Sequence, residues 1–130
     1  MMFGCFRIKP WTFAGKTRRA KVIECYDGDT ITIAMWVGWQ RYSFKFRLYG
    51  IDAPEIRTKN EVEKKAAIES KTYQENMICG KRVKIVFSDG TDKYGRLMGT
   101  VYFKDQNINQ KMITANFAKP YDGGKKQRFV

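Results

Sequence analysis

The chain has 130 residues, 43% apolar and 15% aromatic, enough to bury one compact core and too short for several domains. Its 25 Lys and Arg against 13 Asp and Glu give a net charge of +12, a field that steers polyanions and makes nucleic acid the first partner to consider. With no histidine, the commonest general base near neutral pH and most zinc sites are excluded, so any chemistry rests on carboxylates, arginines, lysines or a metal.

Residues 1–20 are irregular, run into the basic stretch Lys16, Arg18, Arg19 and Lys21, and read as an N-terminal surface arm. The opening residues lack the basic, apolar, small-residue order of a signal peptide, and no run approaches membrane-spanning length. A soluble, unexported, intracellular monomer is the expectation. Lys21–Tyr26 and Thr30–Val37 are rich in Ile, Val and Thr and are joined across Asp27-Gly28, a strong hairpin signal because both turn positions tolerate positive φ. Gly38-Trp39 marks a second turn. Gln40–Leu48 then alternates strictly, with Tyr42, Phe44, Phe46 and Leu48 on one face and Arg41, Ser43, Lys45 and Arg47 on the other, a half-buried strand with a basic face. Within 50–55, Pro54 denies a ladder donor and closes the sheet region.

Asn60–Met77 is the clearest helix, with Asn60 as N-cap, Glu63 placed to reach back to it, and Val62, Ala66, Tyr73 and Met77 tracing one apolar face before the stop at Gly80. Arg82–Phe87 and Leu97–Phe103 are two further strands, separated by a polar loop over Ser88–Gly95. A short helix over Ile108–Ala118 ends before Pro120. The tail, residues 121–130, carries Gly123-Gly124, Lys125, Lys126 and Arg128 and reads as mobile. Three strands, a helix, two strands and a helix suit an α+β, mostly β chain built on a five-stranded OB-type barrel with two or three packed helices. The open face of that barrel often holds nucleic acid.

Four acidic residues fall in two short motifs, Asp27-Gly28-Asp29-Thr30 and Asp52-Ala53-Pro54-Glu55, at ends of the first three predicted strands. In a meander the far end of the third strand returns to the first turn, so Asp52 can face Asp29. Two converging carboxylates, completed by a backbone carbonyl and water, are ordinary oxygen ligation for a hard cation such as calcium. The Asp-Gly turn alone accounts for Asp27. Asp29 enters a strand, where aspartate is disfavoured, and calls for a compensating reason; Asp52 before Ala-Pro is equally explained as a turn cap. The planar fork of Arg47, on the polar strand face, suits a phosphate, and Arg96 ends the loop Asp92-Lys93-Tyr94-Gly95-Arg96, where glycine lets the backbone turn. Either arginine alone is more often a solvated surface charge. Beside clustered carboxylates, the two fit a division of labour in which a metal and arginines neutralise charge growing on phosphorus. Cys5, Cys25 and Cys79, odd in number and without C-x-x-C spacing, support neither a disulfide framework nor a zinc knuckle and read as small core hydrophobes in a reducing compartment.

The set Val22-Ile23 to Asp27-Gly28-Asp29-Thr30, Phe46-Arg47-Leu48 to Ile51-Asp52-Ala53-Pro54-Glu55, and Asp92-Lys93-Tyr94-Gly95-Arg96-Leu97 resembles the staphylococcal (micrococcal) nuclease family in order and spacing, over roughly Lys21 to Pro120. The resemblance implies a nuclease domain over 21–120 in which Asp29, Asp52 and the carbonyl of Ala53 hold Ca2+. Ala53 stands where the family often has threonine, a change a carbonyl ligand survives. By the same resemblance Glu55 orients or deprotonates the attacking water, Arg47 and Arg96 bind the phosphate and stabilise the five-coordinate transition state, and Lys93 and Tyr94 contact a terminal phosphate of the nucleotide. The implied reaction expels the 5′ oxygen of DNA or RNA and leaves a 3′-phosphate. A further C-terminal helix known in the family is short or absent, and Lys119–Lys126 is similar to endings of nuclease-like proteins of large DNA viruses. Two other readings compete: a non-catalytic nucleic-acid-binding module on the same scaffold, and a protein-interaction domain whose basic face meets an acidic partner. Retention of Asp29, Arg47, Asp52, Glu55 and Arg96 favours the enzyme, because carboxylates without a metal repel phosphate.

Overall fold

Branched and aromatic residues in alternation fold the first part of the chain into a meander in the computed structural model, which describes residues 8 and 10–122. The elements are β1 (Thr17–Asp27), β2 (Thr30–Val37), β3 (Gln40–Leu48), β4 (Ile51–Asp52), α1 (Glu61–Ile78), β5 (Arg82–Thr91), β6 (Leu97–Phe103), β7 (Gln106–Asn107), α2 (Ile108–Thr114) and β8 (Lys119–Pro120). The main sheet runs β3-β2-β1-β5-β6-β7, and parallel pairing of β3 with β6 closes β1, β2, β3, β6 and β5 into a ring. This is the expected α+β chain on a five-stranded OB-type barrel, with two helices among the described residues.

The inward positions, Ile31, Ile33, Met35, Phe46, Leu48, Val83, Ile85, Phe87 and Val101, are buried and form the core. The inner face of β3 is graded: Phe46 and Leu48 are buried, Phe44 is partly buried and Tyr42 is exposed. Closure depends on Gly99, where a Cβ would come within 2.3 Å of the Val86 carbonyl oxygen. Asn109 of α2 locks the seam, donating to the carbonyls of Tyr49 and Gly99 and accepting from the Val101 N–H.

Several boundaries differ from the sequence expectation. Strand β1 begins at Thr17 rather than Lys21, because Ala20 and Val22 turn inward against β5 while Arg19 and Lys21 face solvent. Strand β5 continues into the expected loop as far as Thr91, which pairs with Leu97 beyond a bulge. Helix α2 stops at Thr114 instead of Ala118, since Asn116 takes a φ of 68° and the Ala118 N–H turns back to the Met112 carbonyl. Pairing also resumes past Gly50, where Ile51 and Asp52 bridge Pro120 and Lys119. Tyr121 is therefore docked, its N–H donating to the Gly50 carbonyl at 2.8 Å, although the tail was expected to be mobile from this residue. Residues 123–130 of that tail, and Cys5, lie outside the described residues.

The Asn60 cap holds, its Oδ1 accepting from the N–H groups of Val62 and Glu63. The Asn60 N–H, however, donates to Thr58 Oγ1, the role expected of Glu63. The buried face of α1 is Ala67, Ser70, Gln74 and Ile78, whereas Val62 is 64% exposed. Polar side chains sit inside because each serves a distant backbone carbonyl that would otherwise be buried without a donor: Ser70 donates to Phe117 at 2.9 Å and Gln74 to Gly28 at 2.7 Å. No helix among the described residues is long and apolar enough to cross a membrane.

Candidate active site

The first turn of the meander is Gly28-Asp29, flanked by the paired Asp27 and Thr30. Gly28 does not take positive φ, contrary to the expectation from Asp-Gly; it is glycine because a Cβ there would lie 2.0 Å from Ser70 Oγ and 2.8 Å from Ala53 Cβ. Helix α1 and the loop after β4 thus press directly on the turn. The Asp27 carboxylate accepts from the Asp29 N–H at 3.1 Å, which fixes the entry to β2.

Asp29 is buried and fully engaged. Its Oδ1 accepts from Thr30 Oγ1 at 3.0 Å, its Oδ2 accepts from the Ala53 N–H at 2.9 Å, and it pairs with Arg47 Nη1 at 2.9 Å. Arg47 reaches this point because its register partner on β2 is Thr30, and its other nitrogen donates to the Ile51 carbonyl and lies 3.7 Å from Asp52 Oδ1. One guanidinium therefore bridges Asp29 and Asp52, the juxtaposition expected from the meander. Tyr121, carried in by β8, lies with its ring centroid 5.6 Å from the Arg47 guanidinium carbon.

The loop 92–96 is built around Asp92, which accepts from the N–H groups of Tyr94 and Arg96 and pairs with the Arg96 Nε. Held this way, Arg96 extends Nη1 to Thr30 Oγ1 at 3.2 Å, beside Asp29. Burial alone would raise Asp92, but the Arg96 N–H and side chain outweigh it and keep the carboxyl below its ordinary range.

Asp27, Asp29 and Asp52 are all buried, and the Arg47 guanidinium bridges the last two. Burial first, and then the charge of Asp29, push the Asp27 carboxyl up to about 8. Burial also opposes ionisation of Asp29, yet the Asp27 hydrogen bond and the Arg47 charge hold it below the carboxylate range. Arg47 is kept protonated against burial by the charge of Asp29.

These groups open on a cleft of about 770 Å3, whose lining includes Asp29, Arg47, Glu55, Lys93, Tyr94, Arg96 and Tyr121. Glu55 is exposed at its wall and Tyr94, 72% exposed, stands at its rim. Asp52 and Ala53 are buried behind it. Among the described residues no three Cys, Asp or Glu side chains gather on one point, so a cation here would take two carboxylates and complete its shell from backbone and water. Sequence reading did not assign Asp92, Thr30 or Tyr121 to the site. Thr30 and Asp92 lie inside the acidic and glycine-bearing motifs, whereas Tyr121 carries no local signal.

The family described as staphylococcal nuclease homologue matches residues 45–129. An uncharacterized endonuclease of Haemophilus influenzae is 33% identical over 101 residues, covering 78% of this chain and 51% of that protein. One of Escherichia coli O157:H7 is 33% identical over 103 residues, covering 78% and 60%. An uncharacterized protein of Methanocaldococcus jannaschii is 26% identical over 124 residues, covering 78% and 58%. The chain spans between about half and three fifths of the length of these relatives. Barrel, motif order and matched residues agree: the chain belongs to the staphylococcal nuclease family.

Proposed function

We propose that this chain is a calcium-dependent phosphodiesterase, an endonuclease that cuts DNA or RNA and leaves 3′-phosphate ends. The observation that carries the reading is the convergence of buried carboxylates with two arginines, Arg47 and Arg96, in one cleft of a chain of charge +12. Carboxylates at the base of a cleft that admits a polyanion repel it unless a cation stands between them and the phosphate. The all-oxygen donors suit a hard divalent ion, and two bacterial relatives bear the name endonuclease.

Asp29 and Asp52, with the Ala53 carbonyl, would hold the ion. Bound there, calcium supplies a fixed positive charge that polarises the phosphate and the attacking water. Arg47 and Arg96 take the phosphate oxygens, their planar forks bearing the charge that grows at the five-coordinate phosphorus. Glu55, exposed on the cleft wall, accepts the proton of the attacking water. Lys93 and Tyr94 at the rim suit a terminal phosphate. The experiment is incubation of single-stranded DNA, duplex DNA and RNA with calcium or with a chelator, followed by identification of product ends. Calcium-dependent cleavage to 3′-phosphates is expected. Binding without cleavage at any pH tested refutes the enzyme and leaves a nucleic-acid-binding module.

A further inference from the structure

Cross-strand partners in an antiparallel pair share a face of the sheet. The register of β2 and β3 therefore lays out the outside of the barrel row by row: Thr30 with Arg47, Thr32 with Lys45, Ala34 with Ser43, Trp36 with Arg41. The alternate set, including Ile31, Ile33, Met35 and Phe46, fills the core. The outward rows begin at the candidate active site and end at Trp36 and Arg41 beside the Gly38-Trp39 turn, about 20 Å away at a rise of about 3.3 Å per residue.

Cations recur along this face at Arg47, Lys45 and Arg41, and Lys21 adjoins Ala34 on β1. Glu24, opposite Thr32, and Asp27, at the site itself, are the acids that β1 contributes to these rows. Lys45 is tied to Thr32 Oγ1 at 3.1 Å, and Ala34 with Ser43 leave the middle row low and flat. The last row carries Trp36, 61% exposed, beside Arg41, with Trp39 99% exposed at the turn. An indole left open to water beside a guanidinium contributes little to the core, and it offers a stacking surface flanked by positive charge.

We propose that the outward face of β2 and β3 is a track for single-stranded nucleic acid leading into the candidate active site, with a base stacked on Trp36 and phosphates following Arg41, Lys45 and Arg47. The inference rests on the phosphodiesterase reading and adds to it the form of the substrate, an unpaired strand several nucleotides long. Only unpaired bases present a free ring face, and single OB folds hold roughly 4–16 nucleotides.

The test uses the full chain with chelator present, so that binding is read without cleavage, and follows fluorescence anisotropy of a 12-nucleotide single strand, a dinucleotide and a 12-base-pair duplex. Trp36→Ala is expected to weaken the 12-nucleotide strand about tenfold, the loss of one stacked base, and to shrink by the same factor the affinity gained on lengthening from the dinucleotide. Arg41→Ala lowers the salt dependence by about one unit of slope. Both positions are exposed, and circular dichroism verifies that the variants are folded. Affinity for the 12-nucleotide strand within twofold of wild type in both variants overturns the track, and an equal loss on the duplex overturns its assignment to single strands. The two failures are distinguishable, because a wild type that cuts no substrate in calcium refutes the enzyme reading by a separate measurement.

Discussion

Replacing Gly28 by alanine probes how tightly the carboxylate turn is clamped. An added Cβ would stand 2.0 Å from Ser70 Oγ, 2.8 Å from Ala53 Cβ and 3.2 Å from Met112 Cε, so the turn cannot keep its place without moving α1, the loop after β4, or itself. Overpacking of this kind costs about 3 kcal/mol. Ser70→Ala removes one hydrogen bond, to the Phe117 carbonyl, and costs about 1 kcal/mol. It also removes the atom with which the new Cβ collides most severely. The double variant should therefore be more stable than the two losses added together, with a coupling of about 1 kcal/mol or more. Urea unfolding of the four proteins in chelator measures the cycle. Losses that add to within about 0.5 kcal/mol would show that Gly28 and Ser70 are not in contact and refute the packing argument.

Three further outcomes follow from the same geometry. Arg47→Ala leaves Asp29 and Asp52 buried without their shared guanidinium and should destabilise the metal-free protein by about 3–5 kcal/mol; a urea midpoint close to wild type would contradict the bridge. Asp27, pushed up to about 8 when folded, keeps a proton that the unfolded chain has lost above about pH 4, so metal-free stability should fall by up to about 1.4 kcal/mol per pH unit between those values. Asp29 is held low and acts only below that window, so Asp27→Asn should flatten the slope between pH 5 and 8; equal slopes in urea melts of both proteins would exclude the assignment. The Cys25 thiol, buried and pushed up to about 12, should resist iodoacetamide at pH 8 until the chain is unfolded, and rapid native labelling located by mass spectrometry would contradict its burial.

What the sequence discloses depends on whether the cause is local. Strands β2, β3 and β6 are legible to the residue because branched and aromatic alternation faces one core. The approach of Asp52 to Asp29 is likewise legible, since a meander returns its third strand to the first turn; the guanidinium of Arg47 between them is not. Gly28 is the instructive failure: Asp-Gly signals the right hairpin for the wrong reason, because the crowding that demands glycine comes from Ser70 and Met112, far along the chain. The inner face of α1 is legible only in part: Tyr73 and Met77 pack against the core as their spacing predicts, whereas Ser70 and Gln74 are drawn inside by carbonyls that no helical period reveals. Tyr121 reaches Arg47 through a two-residue bridge between β4 and β8, too short to leave a pattern in the sequence. The start of β1 is hidden by its cations, which are solvent-facing strand residues rather than part of an irregular arm.

In the proposed reaction the cleft around Asp29, Arg47 and Glu55 breaks phosphodiester bonds with a bound divalent ion. Its most direct test is the initial rate of cleavage of an end-labelled single strand as calcium is titrated, in wild type and in Glu55→Gln. The rate should rise to saturation with calcium in wild type and be lower by about 10²–10⁴-fold in Glu55→Gln at every calcium concentration. A rate independent of calcium, or equal in the two proteins, would contradict it.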